Sequence, residues 1–317
     1  MLRLFKIDNG LIKEMESQRE DLPNQILKAD WIDAHEPDDE ERDLLELLLH
    51  TDIPESDEVD EIEISARCFV DSAGIHVHPL FLSQSEGRHM TLTVACILQQ
   101  NHLITIREGD LADFRLLRMR ARRGHVECRS PAELLVILLD QKVENHADTL
   151  EDIHRQLEGV SHMVLEDDKS ELEDAIGKLA RLEDSNGKIR LCLMDTQRDI
   201  SFLLRHLRDR TDQSETLREI ARDVETLMSH TTFLFDKINF LMDSTQGFIN
   251  IEQNQIIKIF SIAAVVFLPP TLVASIYGMN FEFLPELKMP LGYPWALLLM
   301  LISGFAPYWY FKRKGWL

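Results

Sequence analysis

The sequence predicts an α+β membrane protein with an N-terminal cytoplasmic α/β domain, a long helical stalk and two C-terminal transmembrane helices. Three observations indicate this class. The first 125 residues combine strand-like segments with an amphipathic helix, and the residues after them follow a helical period. Two apolar stretches near the C-terminus, residues 259–276 and 293–311, contain no charged side chain, although the whole chain has a formal net charge of −21.

Composition limits the classes of protein and site. A chain of 317 residues can hold one large or two modest domains. Its four cysteines, at positions 68, 96, 128 and 192, are scattered without a CxxC pair, so neither a zinc site nor a disulfide framework is indicated. The N-terminal sequence MLRLFKIDNG lacks the apolar core of a signal peptide, and most of the chain is therefore expected in a reducing cytoplasm.

Residues 1–129 form the predicted cytoplasmic α/β domain. Five segments are apolar or β-branched and are bounded by Gly, Asn or Asp, as strands are: RLFKID, ARCFV, GIHVHPLFL, MTLTVACIL and HLITIRE. Between the first two, PDDEERDLLELLLH is predicted to form an amphipathic helix with acidic residues in its first turn.

Antiparallel cytoplasmic helices are predicted over residues 130–212. Ser130 is the expected N-cap, with Pro131 at the first helical position and Glu133 completing a capping box. The helical period runs to about Leu165, breaks at EDDKS, resumes, and breaks again near DRTDQSET.

Residues 213–276 are predicted to form one long helix that includes the first transmembrane segment. Its soluble part has an a/d seam with alternating steps of three and four. The seam consists of Leu217, Ile220, Val224, Leu227, Thr231, Leu234, Ile238, Leu241, Thr245 and Phe248. No breaking signal separates the seam from the apolar segment, so the helix would be about 95 Å long at 1.5 Å per residue. Pro269 and Pro270 are expected to bend it, and the seam is expected to pack on neighbouring copies.

Each apolar stretch is long enough to cross a hydrocarbon core about 30 Å thick as a helix. Aromatic residues near both ends of the second stretch and a basic tail at residues 312–317 are typical of a membrane interface. The aromatic residues are Tyr293, Trp295, Tyr308, Trp309 and Tyr310, and the cations are Lys312, Arg313 and Lys314. Two buried core helices are the alternative interpretation.

Loop charges predict the orientation. The connection at residues 277–292 contains Glu282, Glu286 and Lys288, whereas the tail contains three cations, which places the tail in the cytoplasm. Two crossings put the N-terminal part on the same side. Residues 251–317 carry a net charge of +2, and the total of −21 therefore leaves −23 for the cytoplasmic part before them.

One face of the first transmembrane helix changes character along its length. It is acidic and amide-rich at the cytoplasmic end, apolar in the middle, and small or polar at the outer end. Its members are Asp243, Asn250, Asn254, Ile257, Phe260, Ser261, Ala264, Leu268, Thr271 and Ser275. This face fits either a helix–helix contact or the lining of a pore with a hydrophobic constriction, and the pattern alone leaves both open.

The sequence YGMN at residues 277–280 follows a proline-containing apolar helix and precedes FEFLPEL, a second apolar helix and a basic end. This arrangement resembles the CorA magnesium transporters, a family of two-helix membrane proteins with a GxN motif. DWIDAHEPDDEERDLL is similar to the family's N-terminal signature, and FINIEQNQIIKIFSIAAVVFLPPTLVASIYGMNFEF is similar to the bacterial stalk and pore helix. LPEL, with Leu284, replaces the usual MPEL.

The resemblance implies a transporter rather than an enzyme, with a homopentameric funnel in the inner membrane whose first transmembrane helices line the pore. The implied ion is Mg²⁺, both transported and regulatory, with Co²⁺ and Ni²⁺ as alternative substrates and no nucleic-acid partner. The implied selectivity filter consists of Tyr277, Gly278, Met279 and Asn280. Asn280 and Asn254 would form outer and inner rings around hydrated Mg²⁺, and the implied constrictions are Ile257, Phe260 and Leu268.

Magnesium chemistry explains why an amide suits this filter. Mg²⁺ dehydrates reluctantly. The Asn280 carbonyl can accept hydrogen bonds from the ion's water shell without a formal charge that would trap the ion. A helix C-cap is the alternative role for Asn280. Glu282 and Glu286 are expected to raise the cation concentration at the outer mouth. The sequence contains no GxxxxGK[ST] motif, which agrees with uptake that uses no ATP.

The charge of −23 suggests a gating mechanism. Several acidic cytoplasmic parts would repel one another, and Mg²⁺ bound between them would hold a closed state until internal Mg²⁺ falls. Candidate regulatory carboxylates are the segment PESDEVDEIE, Asp113 and Glu219, although each also fits a solvated acidic face. The family fold suggests that the acidic turn at residues 166–173 lies near the basic ring formed by Lys312, Arg313 and Lys314.

Other signals are weaker. His76 and His78 share one face of a strand but lack a third metal ligand nearby in sequence, which favours ordinary histidines. RLLRMRARR at residues 115–123 is expected to pair with carboxylates rather than with nucleic acid. Two other functions stay open: a zinc or other divalent-cation transporter of the same architecture, and a membrane-anchored coiled-coil sensor that conducts nothing.

Overall fold

A computed structural model describes residues 1–15, 21–51, 53, 67–85, 87–165, 172–207, 211–279, 289 and 291–315. The chain divides into two compact units, Met1–Met242 and Asp243–Leu317. Several predicted features lie outside the described residues. They are the segment PESDEVDEIE, most of the turn at residues 166–173, Asn280, Glu282, Leu284 and Glu286.

A mixed seven-stranded sheet lies at the centre of the first unit, beside a separate two-stranded hairpin. The strands are β1 Leu2–Asp8, β2 Leu11–Glu14, β3 Trp31–His35, β4 Cys68–Val70, β5 Ile75–Val77, β6 Leu80–Ser85, β7 Arg88–Thr93, β8 Ala95–Leu98 and β9 Leu103–Arg107. The large sheet has the order β2-β1-β3-β9-β8-β5-β4, and β6 pairs with β7. The β3–β9 pair is parallel, and its neighbours are antiparallel.

Helices pack on the sheet, and one long helix continues from the first unit into the second. They are α1 Leu22–Ile26, α2 Asp39–Leu49, α3 Ala112–Arg122, α4 Pro131–Leu165, α5 Leu172–His206, α6 Thr211–Tyr277 and α7 Gly292–Arg313. The long predicted helix is confirmed, since α6 is continuous from the first unit into the second and has Pro269 and Pro270 inside it.

Capping explains where two of these helices begin. The Glu133 amide donates to the Ser130 hydroxyl at 3.2 Å, which confirms the predicted N-cap. The predicted capping box is only half formed, because the Glu133 carboxylate accepts from the Arg129 amide at 2.7 Å rather than from the Ser130 amide. Asp38 and Glu41 form a complete capping box at the start of α2.

All five predicted strand segments contain strands, but two predictions are wrong in extent. GIHVHPLFL divides around Pro79 and MTLTVACIL divides around Val94, so the chain leaves the large sheet for the hairpin and returns. Pro79 cannot donate to a ladder, and its carbonyl accepts from the Val94 amide at 3.0 Å. Strands β2 and β3 were not predicted. Four of the five residues of β3 are buried, which removes the alternation that marks a half-exposed strand.

The two faces of the large sheet have different covers. On one face, Leu4, Ile32 and Ile104 belong to a core cluster with Leu45 of α2. On the other face, Trp31 stacks on Phe5 with ring centroids 4.4 Å apart and lies 6.4 Å from the ring of Phe114 in α3.

The apolar seam of α6 is covered within a single chain. Its members Leu217, Val224, Thr231 and Leu234 are fully buried. The Asn186 side chain of α5 donates to the Thr231 carbonyl at 3.0 Å, which fixes α5 against α6. The expectation that this seam packs on neighbouring copies is therefore wrong, because helices of the same chain already cover it.

A buried carboxylate ties the sheet to α3. Asp33 of β3 is fully buried and accepts from Arg107 at 3.1 and 3.2 Å and from Arg118 at 2.8 Å. The Thr105 hydroxyl also lies 3.3 Å from Asp33. Elsewhere in the basic segment, Arg115, Arg120 and Arg122 pair with Asp110, Glu144 and Glu14. The predicted pairing of RLLRMRARR with carboxylates is confirmed at these positions.

We expect Asp33→Ala to lower the free energy of unfolding of the Met1–Met242 unit by about 3–5 kcal/mol, because two buried guanidinium groups lose their counter-ion. Asp110→Ala removes an exposed carboxylate paired with Arg115 and should cost less than about 1 kcal/mol. Urea unfolding followed by circular dichroism measures both values. Equal losses in the two variants would contradict the role given to Asp33.

Candidate functional site

The second unit contains the membrane-length part of α6 and the whole of α7. Both helices are long and apolar enough to cross a membrane, and only 6% of the apolar window of each is buried inside the structure. Core helices of a soluble protein are mostly buried, so this exposure favours two transmembrane helices over the alternative.

Close contact joins α6 and α7 at one level. A Cβ atom added to Gly304 of α7 would lie 3.1 Å from Pro270 Cγ and 3.5 Å from the Val266 carbonyl oxygen. Ile262 and Ala296 are the buried apolar residues of the unit. A small residue at position 304 lets the two backbones approach, as is usual for helices packed in lipid.

The predicted stripe lies on the opposite side of α6 from this contact. All ten of its residues are exposed. Leu268 is two residues from both Val266 and Pro270, and at about 100° per residue it projects about 160° away from each of them. Neither α7 nor any other described element covers the stripe within one chain.

Polarity along the stripe follows the predicted order. Asp243, Asn250 and Asn254 occupy its first three turns, and the Asn254 amide makes no hydrogen bond with the described residues. Ile257, Phe260 and Leu268 follow with exposed fractions of 61%, 71% and 65%. Near the outer end, the Thr271 hydroxyl donates to the Phe267 carbonyl at 2.8 Å, which leaves the hydroxyl oxygen as an acceptor.

The outer end of α6 leads directly into the GxN motif. The helix ends at Tyr277, and one further turn forms through hydrogen bonds from the Gly278 amide to the Ala274 carbonyl at 2.9 Å and from Met279 to Ile276 at 3.3 Å. Gly278 and Met279 are exposed. Gly278 and Met279, the described part of the motif, therefore lie directly beyond the last residue of the stripe.

The basic end of α7 contacts its own aromatic residues. The Arg313 guanidinium lies 5.7 Å from the centre of the Trp309 ring, and the Lys314 ammonium lies 6.0 Å from that of Tyr310. Both cations are exposed, as is Lys312. A charged head above an aromatic body is the arrangement that suits a membrane–water interface.

The candidate regulatory carboxylates differ in environment. Asp113 is only 1% exposed and burial raises its pKa to about 6, so a solvated acidic face is wrong for this residue. Glu219 is exposed. Burial raises the pKa of Asp140, and the charges of Glu144, Asp223 and Glu219 raise it further, which locates acidic repulsion between α4 and α6. Asp140 could not be predicted from the sequence, because its environment depends on the two helices being close together.

The two histidines belong to the core. His76 and His78 are each 2% exposed, and His76 Nε2 lies 3.0 Å from Asp71 Oδ1 while its ring stacks on Phe69 at 4.3 Å. Among the described residues, no three His, Cys, Asp or Glu side chains are grouped to hold a metal ion.

Residues 27–313 match the family model described as CorA-like Mg²⁺ transporter protein. The chain belongs to this family. Its relatives include proteins named Magnesium transport protein CorA from Pectobacterium atrosepticum, 46% identical, and from Escherichia coli strain K12, 47% identical, each over 100% of both chains. The resemblance indicated by residues 277–280 is thus confirmed.

Solved structures confirm the fold. The complete CorA magnesium transporter from Methanocaldococcus jannaschii matches with a TM-score of 0.74 at 20% identity, covering 100% of this chain and 99% of that one. Full-length CmaX matches with a TM-score of 0.64 at 16% identity, covering 98% and 96%. The cytoplasmic domain of ZntB from Vibrio parahaemolyticus covers 78% of this chain and 97% of its own, with a TM-score of 0.58 at 13% identity.

We expect Gly304→Val to destabilise the full-length chain in detergent by about 1–3 kcal/mol, because its side chain would overlap Pro270 and the α6 backbone. Gly247→Val is the matched control, since a Cβ at Gly247 meets no atom within 4 Å. Thermal unfolding followed by intrinsic fluorescence compares the two. A lower midpoint for Gly247→Val than for Gly304→Val would refute the packing assigned to Gly304.

Proposed function

We propose that this chain carries Mg²⁺ across the inner membrane through a path that several copies build together, with the stripe of α6 facing the path. The exposed stripe opposite α7 supports this proposal most strongly. Two membrane helices per chain cannot enclose a pore, and the stripe leaves the polar side chains Ser261, Thr271 and Ser275 of the apolar stretch without a cover inside one chain. A ring of copies would place the stripes around a shared axis, and the family resemblance suggests five copies.

The proposed filter recognises the hydrated ion. Tyr277, Gly278, Met279 and Asn280 would form the outer filter, in which Asn280 accepts hydrogen bonds from the waters of Mg²⁺. Asn254 would repeat this contact at the inner end, where its amide is exposed and free of partners among the described residues. Neutral amides suit an ion that keeps its water shell and has to leave again.

The middle of the stripe would form the gate. Ile257, Phe260 and Leu268 project large apolar side chains from the uncovered face, so a narrow ring of them would exclude water and its dissolved ions. Wider spacing of the helices would wet the path. Asp243, Asn250, Ser261, Ala264, Thr271 and Ser275 would complete the lining.

Charge supports both the proposed inward movement of the ion and the proposed orientation of the chain in the membrane. A membrane potential of 100 mV, negative inside, would supply about 4.6 kcal/mol for a divalent cation. Glu282 and Glu286 would concentrate cations at the outer mouth, and the basic ring of Lys312, Arg313 and Lys314 would stay in the cytoplasm with both termini. Residues 1–129, 130–212 and 213–276 would then serve as the cytoplasmic domain, its antiparallel helices and the stalk with the pore helix.

Internal Mg²⁺ would regulate the path through the acidic cytoplasmic part. The charges of Glu144, Asp223 and Glu219 already raise the pKa of Asp140 within one chain. Bringing several copies together multiplies this repulsion, and divalent cations would offset it in a closed state. Loss of Mg²⁺ would then favour opening.

Co²⁺ and Ni²⁺ would be alternative substrates, because their hydrated ions are similar in size to hydrated Mg²⁺. Transport of zinc by the same fold is the second candidate, and the structural likeness to the ZntB cytoplasmic domain favours testing it. The relatives with 46% and 47% identity support magnesium.

We expect Asn280→Ala to slow Mg²⁺ uptake into liposomes at least about tenfold, because each copy would lose a hydrogen bond to the waters of the ion, and one such bond contributes about 0.5–1.5 kcal/mol. Asn254→Ala should slow it less. The control is Gln255→Ala, since Gln255 is an exposed amide that projects about 100° away from Asn254. Unchanged uptake in Asn280→Ala would sink the proposed filter, and faster Zn²⁺ than Mg²⁺ uptake would favour the second candidate.

We expect Mg²⁺ to slow proteolysis of the full-length protein in detergent. At ten times its dissociation constant, Mg²⁺ should reduce cleavage of the loosened state about tenfold. Gel densitometry after timed trypsin digestion measures the rate, with NaCl at equal ionic strength as the control. Identical rates in both salts would rule out the proposed regulation.

A further inference from the structure

Five arginines line one cavity in the first unit. The cavity, of about 340 Å³, is bounded by Arg3 of β1, by residues of α3 and by the residue that follows α3. Its lining consists of Arg3, Arg115, Arg118, Met119, Arg122 and Arg123. We call it the arginine pocket. Such a concentration of cations stands out in a chain whose formal net charge is −21.

Carboxylates neutralise three of the five guanidinium groups. Arg118 is bonded to Asp33 at 2.8 Å, and the Nε of Arg122 is bonded to Glu14 at 3.1 Å. Arg115 is bonded to Asp110.

The guanidinium groups of Arg3 and Arg123 make no hydrogen bond or ion pair with any residue that the structure describes. The pocket therefore has two more positive charges than its described partners neutralise.

Strand register explains why Arg3 is left unpaired. Arg3 lies opposite Asp33 in the β1–β3 ladder. Asp33 already accepts hydrogen bonds from Arg107 and Arg118, so its oxygens are occupied. Arg3 is only half-buried, and it adds its charge to that of Arg118 at the pocket instead of neutralising a carboxylate.

We propose that the arginine pocket binds a small phosphate-bearing anion. Guanidinium groups present paired N–H donors in a planar fork that matches the oxygens of phosphate. The volume lies in the range of small-molecule sites. A cavity is the wrong shape for a nucleic acid, which needs a basic stripe, and the overall negative charge of the chain repels a long polyanion.

The arginine pocket shares no residue with the proposed ion path. Every lining residue belongs to the Met1–Met242 unit, whereas the stripe begins at Asp243. Its positive charge also excludes Mg²⁺ itself as the occupant. The inference therefore does not depend on the proposed filter.

Calorimetric titration of the full-length chain in detergent with sodium pyrophosphate tests the proposal. Because pyrophosphate also chelates Mg²⁺, the protein and the titrant are both kept in EDTA without divalent cations. We expect saturable binding with one site per chain. Arg3→Gln combined with Arg123→Gln should weaken it at least about tenfold, the effect of losing one or two charge-assisted hydrogen bonds.

The matched control is Arg129→Gln, which removes an exposed guanidinium group of the same unit that lies outside the cavity and has no partner among the residues that the structure describes. Its affinity should stay within about twofold of the unchanged chain, since Arg129 is not in the pocket. Arg3 and Arg123 form no ion pair with a described residue, so the double variant should keep its thermal midpoint, and a scan of each protein checks this.

Three results would overturn the proposal. They are the absence of binding to the unchanged chain at 1 mM pyrophosphate, equal affinity of the double variant, or an equal loss in Arg129→Gln. A parallel titration with citrate separates phosphate from carboxylate chemistry. Citrate that binds as tightly as pyrophosphate would overturn the assignment to phosphate.

Discussion

The backbone of a membrane segment has to satisfy its own hydrogen bonds, because lipid supplies no partners, and the rest of this architecture depends on that constraint. The two apolar segments meet it as α-helices, and each helix can cover only one side of the other. In the apolar stretch of α6, the uncovered side includes Ser261, Thr271 and Ser275, whose hydroxyl groups lipid solvates poorly. Under the proposed function, other copies and the water between them supply a second cover for that side. Family membership and the stripe both support the proposed assembly around an aqueous axis.

The Met1–Met242 unit covers its apolar surface and pairs its buried charges within a single chain. Helix α5 covers the seam of α6, and Asp33 accepts hydrogen bonds from Arg107 and Arg118. Its stability thus does not require neighbouring copies. This independence would suit the proposed regulation, because copies that fold on their own can change their mutual spacing without unfolding, whereas a shared core would resist such movement.

Features encoded by neighbouring residues were predicted well, whereas features that depend on residues distant in sequence were missed. The N-cap at Ser130 and the lack of a breaking signal between the seam and the apolar segment of α6 are encoded within a few residues, so both were predictable. Strand β3 was missed because burial on both faces removes its alternation. Periodicity identified the seam residues but not their cover, since it contains no information about which helix lies opposite. Likewise, the stripe residues were predictable, but the contact at Gly304 that leaves them exposed depends on α7, distant in sequence.

The adjacent prolines in α6 have a mechanical consequence. Pro269 and Pro270 lack amide hydrogens, so the carbonyls of Val265 and Val266 lose the donors that the next turn would normally supply. Flexing the helix there breaks fewer backbone hydrogen bonds than flexing it elsewhere. The Val266 carbonyl lies at the close contact with Gly304, so α7 supports the helix at the level where its own hydrogen bonding is weakest.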